Sequence, residues 1–119
     1  MRFMSFVRSA EIKGPPPQAL MDAMGELIQE TTRSGSLIST GGLAPSEMST
    51  RVSLSRGNVT VADGPFSGAK EVIGGYALME FNSKEEAIEA ARRFLDLHKK
   101  HWPEWEGECE LRQVFGMED

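Results

Sequence analysis

The stretch of sequence that decides the fold is DGPFSGAKEVIGGY, residues 63–76. Asp63 can accept hydrogen bonds from the backbone N–H groups of a turn, Gly64 tolerates a positive φ, and Pro65 fixes the next bend. These residues predict a rigid loop. The pair Gly74-Gly75, at the entrance to an apolar segment, predicts a β-bulge or a close approach between backbones.

Extended segments lie on both sides of this loop. On its N-terminal side, Val52 and Leu54 alternate with serines, turn residues follow at 56–58, and Val59 and Val61 resume the alternation. This pattern predicts a β-hairpin. On the C-terminal side, residues 76–81 are apolar on both faces of an extended chain, which predicts a central strand.

Two helices and two further strands complete the chain. Residues 3–8 predict a first strand with apolar side chains on both faces, and residues 108–115 predict the last strand. Prolines 15–17 favour a helix start, and Gly35 is suited to the left-handed C′ position at its end. The apolar stripe of this helix is Leu20, Met21, Met24, Leu27 and Ile28. Ser83 and Glu86 form a capping-box pattern that begins the second helix.

The predicted order is strand, helix, strand, hairpin, strand, helix, strand, within a single domain of residues 1–119. This order predicts an α+β fold, a split βαβ arrangement on an antiparallel sheet. Two helices cover only one face of such a sheet, yet the first and central strands are apolar on both faces. We therefore expect a homodimer in which the uncovered faces pack together.

Charge and composition argue against several classes of function. Thirteen basic and eighteen acidic residues give a net charge of -5, so nucleic-acid binding is not expected. No apolar stretch approaches the length of a bilayer span, and the single Cys109 cannot form an intrachain disulfide. These features predict a cytoplasmic protein without a membrane partner. No glycine-rich phosphate loop or nucleophile elbow is present, so we expect no cofactor.

The stretch 63–76 resembles the signature of the YCII-related family in its DGPF-domain branch, D-G-P-F-x-x-x-K-E followed by a G-G-aromatic strand start. Residues 42–46, GLAPS, resemble the family's G-L-x-P-S, and residues 110–114, ELRQV, resemble its E-x-R-x-V strand. The resemblance implies a ferredoxin-like fold of the dimeric α/β barrel type. It also implies either small-molecule chemistry at a polar dyad in a cleft or an association with extracytoplasmic-function sigma factors.

The chain departs from the family pattern at three places. Gly41 stands where many members carry an acidic residue, Ala44 where some carry histidine, and residues 67–69, SGA, where A-E-T is usual. Three polar groups are missing or reduced. We therefore expect the cleft of this chain to be less equipped for acid–base chemistry than that of a typical member.

Four residues are candidates for a ligand site. Asp63 could act as a general base or bind a ligand, oriented by Lys70 and Tyr76; alternatively, it only holds the turn. Lys70 could instead pair with Glu71 and fix the loop. Arg112 could bind a ligand carboxylate through two hydrogen bonds, or form a cross-strand ion pair.

Two histidines lie near the end of the second helix. His98 and His101 have a spacing that a shared metal would accept, but the two lysines between them repel a cation and Pro103 interrupts the helix. No metal site is expected, and solvation of the helix end is the favoured interpretation. Trp102 and Trp105 are expected to pack a C-terminal loop against the sheet, and stacking on a ligand is the alternative.

Three functions fit these features. The first is a small-molecule-binding dimer, a lyase or isomerase without a redox cofactor, whose cleft is formed by residues 63–76 and the sheet. The second is a non-catalytic accessory or regulatory dimer linked to a sigma factor, which the lost polar groups favour. The third is a purely structural dimer module.

Overall fold

The elements of the chain follow the predicted order. A computed structural model describes residues 1–11, 14–66 and 72–116. The elements are β1 (Arg2–Ser9), α1 (Gln18–Ser34), β2 (Leu37–Gly42), β3 (Thr50–Ser55), β4 (Asn58–Asp63), β5 (Val72–Glu80), α2 (Lys84–His101) and β6 (Gly107–Val114). A single 3-10 turn at Ser46–Met48 lies between β2 and β3. The predicted α+β class is confirmed.

Four strands form the main sheet in the order β2-β5-β1-β6, and every neighbouring pair is antiparallel. β1 and β2, which flank α1 in the sequence, are separated in the sheet by β5. This split βαβ topology is ferredoxin-like, as predicted. The hairpin β3–β4 forms a second sheet of its own.

The two faces of the main sheet differ in what covers them. Phe3 and Ser5 are buried, and they alternate along β1 with the half-buried Met4 and Phe6. Because direct antiparallel partners share a face, Met79, opposite Phe3, joins the covered side. We call the side that bears Met4, Phe6, Tyr76 and Leu78 the open face.

The helix ends follow local chemistry. The carbonyl of Pro17 accepts from the N–H groups of the first turn of α1, so the three prolines precede the helix and do not lie within its first turn. Gly35 ends α1 with φ 85°, the predicted left-handed C′ residue. Ser83 Oγ accepts from the Glu86 N–H at 3.2 Å, as the capping box predicts. The Glu86 carboxylate accepts from the Asn82 N–H, one residue before the cap.

The hairpin has a two-residue turn. Arg56 and Gly57 both have positive φ, 51° and 81°. Two such residues give the type I′ geometry, whose twist matches that of the flanking strands. The predicted hairpin is confirmed, with Val52 opposite Val61 and Leu54 opposite Val59.

The predicted bulge at the glycine pair is also confirmed. Val7 pairs with Gly75 and Arg8 pairs with Ile73, so Gly74 is an extra residue on β5. Gly75 meets the second expectation of a close backbone approach, because a Cβ there would lie 3.1 Å from the Gly41 carbonyl oxygen.

Few apolar side chains are buried. Among the residues that the structure describes, only Phe3, Leu20, Met79 and Ala87 are buried hydrophobic residues. The chain exposes 8,699 Å², whereas a compact monomer of its mass exposes about 6,400 Å². The excess lies in part on the hairpin, whose two strands are exposed throughout.

No helix in the described part of the chain is both long enough and apolar enough to cross a membrane.

Candidate functional site

A cavity of about 810 Å³ lies between the two helices and the covered face of the sheet. Its walls are mostly apolar. Side chains from all three layers contribute, among them Val7, Met24, Leu27, Ala77, Ala91 and Phe94. Because ligand pockets in proteins are typically about 300–1,000 Å³ and mostly apolar, this cavity has the size and character of a small-molecule site.

Glycines let the cavity reach the backbone of the sheet at one end. Gly41 and Gly42 on β2 and Gly74 and Gly75 on β5 all line it with their backbones. A Cβ at Gly41 would lie 3.0 Å from Tyr76 Cε1, so the Tyr76 ring lies across Gly41. The position where the family resemblance leads us to expect an acidic residue is thus a glycine beside a tyrosine ring.

The main ionisable group in the cavity wall is His98, on the last turns of α2. Its side chain is buried, with 6% exposed, and its ring lies between those of Phe94 and Trp105, whose centroids are 4.7 and 4.4 Å away. Nδ1 lies 3.1 Å from the Phe94 carbonyl oxygen. A carbonyl oxygen only accepts, so Nδ1 carries the proton and Nε2 keeps a lone pair.

The expectation that both histidines belong to a solvated helix end is wrong for His98. After α2 the chain reverses, with the Trp105 N–H donating to the Trp102 carbonyl at 2.9 Å, and the Trp105 indole covers His98. His98 also continues the apolar stripe of α2, four residues after Phe94. That spacing is the sequence signal that could have placed it inside.

Ser5 on β1 and Cys109 on β6 are two further polar side chains in the cavity wall. Ser5 is buried. Burial raises the pKa of Cys109, and the Ser5 hydroxyl opposes this only in part. The thiol therefore stays protonated at neutral pH and is a poor nucleophile.

A helix-to-helix ion pair lies at the rim of the cavity. Arg93 on α2 donates from both terminal nitrogens to the two carboxylate oxygens of Glu30 on α1. Both side chains line the cavity and are about half exposed, which places them at its edge. Hydrogen bonding to Arg93 lowers the pKa of Glu30, so the pair stays charged near neutral pH.

The burial of His98 predicts a pH dependence of stability. Burial lowers the pKa of His98 below its ordinary value of 6.5, so the unfolded chain binds this proton more readily than the folded chain. The stabilisation is present above pH 6.5, and it is lost as the pH falls toward the lower pKa that His98 has in the folded chain. We expect the melting temperature to decrease as the pH is lowered from about 7.5 to about 5.5.

Variants assign this dependence to His98. A His98→Gln variant is expected to lose most of the slope, and the His101→Gln variant, one turn on, is expected to keep it. Carboxyl groups with lowered pKa values, such as Glu30 and Glu110, titrate below their ordinary 4.5, outside this window. A wild-type slope in His98→Gln would contradict the assignment.

The structure places Asp63 on the hairpin, at the end of β4 and outside the cavity wall. Its Oδ1 accepts from Thr50 Oγ1 at 2.9 Å, which closes the base of the hairpin. Pro65 has no N–H, so the residue two positions on cannot donate to Asp63. The hydrogen bond that is present is to a side chain across the hairpin, whereas we had expected bonds to the backbone of the turn.

The other candidate residues do not gather around Asp63. Tyr76 borders the cavity, and its register opposite Phe6 puts it on the open face. Arg112 is also on the open face, 71% exposed, where its Nε lies 2.6 Å from Glu110 Oε2. Glu110 also pairs across the strands with Arg8, at 2.9 Å. Lys70 lies outside the described residues. A ligand-binding role for the four stays a prediction.

Across residues 1–11, 14–66 and 72–116, no group of three or more His, Cys, Asp or Glu side chains is arranged to hold a metal ion.

Comparison with known proteins gives one family. The model of the YCII-related domain matches residues 1–96, from β1 into α2. Comparison with curated proteins finds no match. The matched range includes the stretch 63–76 and the split βαβ core, and it covers well over half of the chain. This chain therefore belongs to the YCII-related domain family.

Proposed function

We propose that this chain is a dimeric small-molecule-binding domain whose ligand lies in the cavity between the helices and the sheet. The observation that carries the proposal is the cavity itself, about 810 Å³ and lined mainly by aliphatic and aromatic side chains. Such walls favour a ligand with an apolar body, because each buried CH₂ contributes about 0.8 kcal/mol.

The polar groups of the cavity define the rest of the ligand. His98 Nε2 offers a lone pair, so the ligand should present an N–H or O–H group to it. The Thr40 hydroxyl is already bonded to the Tyr76 carbonyl. His98 is buried in the cavity wall, and it is the side chain that we expect to orient the ligand.

The same geometry supports a lyase or isomerase as the finer form of this function. A neutral imidazole with its Nδ1–H held by a carbonyl can accept a proton at Nε2, as a general base does. Lowering of its pKa by burial keeps it neutral near pH 7. A proton transfer of this kind needs no redox cofactor.

The dimer part of the proposal rests on the open face of the sheet. Met4 on β1 pairs directly with Leu78 on β5, and Phe6 pairs with Tyr76, giving an apolar patch that neither helix covers. Ion pairs border the patch, among them Arg2 with Glu80 and Arg8 with Glu110. An apolar centre with a charged rim is the usual composition of an interface, which supports face-to-face packing in a dimeric α/β barrel.

A thermal-shift screen against a broad set of small metabolites tests the ligand proposal. A ligand present at a hundred times its Kd stabilises the folded state by about 2.7 kcal/mol, a rise of several degrees in melting temperature. Ala91→Phe, which places a phenyl ring in the cavity, is expected to abolish the shift.

The matched control is Ala19→Phe, the same change at an exposed position of α1 away from the cavity. It is expected to keep the shift. If no compound raises the melting temperature, or if Ala91→Phe responds like the wild type, the cavity is not the ligand site.

A further inference from the structure

The hairpin β3–β4 presents a row of apolar side chains on one of its faces. Val52 is directly opposite Val61, and Leu54 is directly opposite Val59. These four side chains are 68%, 68%, 73% and 69% exposed, respectively. The opposite face carries mainly polar residues, with Ser53 opposite Thr60 and Ser55 opposite Asn58.

This arrangement is unfavourable for a hairpin exposed to water. A two-stranded sheet alone is marginally stable, and it needs packing of an apolar face to persist. Within the described part of the chain, both strands are exposed along their whole length. A row of this size on a surface indicates a contact with another molecule.

We propose that the apolar face of the hairpin packs against a second copy of this chain, as an arm that extends the interface of the proposed dimer. The inference rests on the dimer of the proposed function and adds a second, separate contact surface to it. The arm face is defined as Val52, Leu54, Val59 and Val61.

The surface area favours a second copy as the occupant. The chain exposes about 2,300 Å² more than a compact monomer of its mass. A standard interface buries about 800 Å² per partner, and obligate homodimers bury more. An excess of this size is on the scale of the area that an extensive homodimer interface buries.

In the sequence, the hairpin is next to a strand of the open face. It is inserted between β2, an edge strand, and β5, which carries Tyr76 and Leu78 of the open face. The molecule measures 45 × 39 × 20 Å, and the hairpin strands form a sheet of their own. In the proposed dimer, a partner seated on the open face also contacts the arm.

The chemistry of the arm face also fits a second copy. The only charged side chain on that side of the hairpin is Asp63, at its base, and Thr50 already bonds it. The arm face therefore calls for an apolar partner surface. A second copy provides two such surfaces, its own open face and its own arm face, and in a two-fold dimer each contact is made twice.

The test is the double variant Leu54→Thr with Val59→Thr, measured by sedimentation over a concentration series. Threonine keeps the strand preference of the hairpin, removes part of the apolar surface of this pair and adds a hydroxyl group at each position. Since both copies lose the contact, we expect the dimer Kd to rise about a hundredfold.

The control is Ser53→Ala with Thr60→Ala, a cross-strand pair on the opposite face of the same hairpin. Alanine is a poorer strand former than threonine, so this control disturbs hairpin stability more than the test does. Its dimer Kd is expected to change by less than about threefold. Equal weakening by both variants would show that the dimer needs only an ordered hairpin, which would overturn the arm contact.

Failure of the arm can be told apart from failure of the dimer. If the Leu54→Thr, Val59→Thr variant dimerises like the wild type while Leu78→Asp is monomeric, the sheet dimer stands and the arm is overturned. If the wild type itself is monomeric at micromolar concentration, both the dimer and the arm are overturned, while ligand binding in the cavity is untouched.

Discussion

Leu78→Asp is expected to convert the dimer into a monomer. Leu78 lies on the open face, directly opposite Met4 on β1, and outside the wall of the ligand cavity. In a two-fold interface the new carboxylate is buried twice without a partner, at several kcal/mol for each copy. The dimer Kd should rise by at least about a thousandfold, measured by sedimentation velocity over a concentration series.

A control separates loss of the interface from a general effect of charge. Leu43→Asp makes the same change at an exposed leucine after β2, and it is expected to leave the dimer intact. Far-ultraviolet circular dichroism of Leu78→Asp should match the wild type, because the covered face keeps its contacts. A Leu78→Asp variant that dimerises with wild-type affinity would contradict the interface at the open face.

The order of the elements could be predicted because local sequence patterns mark the strands, the bulge and the turn. The sequence of β1 predicted a strand with apolar side chains on both faces, and the structure buries Phe3 on one face while leaving Met4 on the other half-buried. Gly74 and Gly75 predicted the bulge on β5, and the turn residues at 56–58 between two alternating segments predicted the hairpin, whose turn is Arg56 and Gly57. These features depend on neighbours within a few residues, which is the range over which sequence patterns are informative.

The cavity could not be predicted because it depends on distances between elements. The environment of His98 is set by Trp105, whose position in turn depends on the reversal of the chain after α2. The neighbouring lysines and the position near the helix end predicted a solvated His98. Only the continuation of the stripe from Phe94 indicated otherwise.

Residues 64–66 of the family signature lie in a loop, as the sequence predicts, and they also pack against residues 46–51, which the sequence did not indicate. The Gly64 N–H donates to the Ser49 carbonyl at 2.7 Å, and a Cβ at Gly64 would overlap the Ser46 carbonyl oxygen. Arg51 also places its guanidinium 3.8 Å from the centre of the Phe66 ring. Residues 63–66 are thus packed against Ser46 and the segment that follows GLAPS, so two of the three motifs that carried the resemblance meet in space.

Gly107→Ala is expected to lower the free energy of unfolding by about 3 kcal/mol, at the upper end of the cost of overpacking. A Cβ at Gly107 would overlap the six-membered ring of Trp105 and lie 2.6 Å from the Arg8 carbonyl oxygen. The backbone of β1 cannot yield without breaking its pairing with β6, so the indole must move. The melting temperature from denaturation scans measures this loss.

The displaced indole should also change the environment of His98. Trp105 covers the His98 ring at 4.4 Å between centroids, and burial is what lowers the His98 pKa. In Gly107→Ala we expect the tryptophan emission to shift to longer wavelength and the His98 pKa, followed by NMR, to rise toward 6.5.

The control is Gly25→Ala, the same substitution in the middle of α1, where a Cβ meets nothing within 4 Å. It should stabilise the chain by up to about 1 kcal/mol, through helix propensity. A Gly107→Ala variant with wild-type stability and an unchanged His98 titration would show that Trp105 does not hold His98 inside the cavity wall.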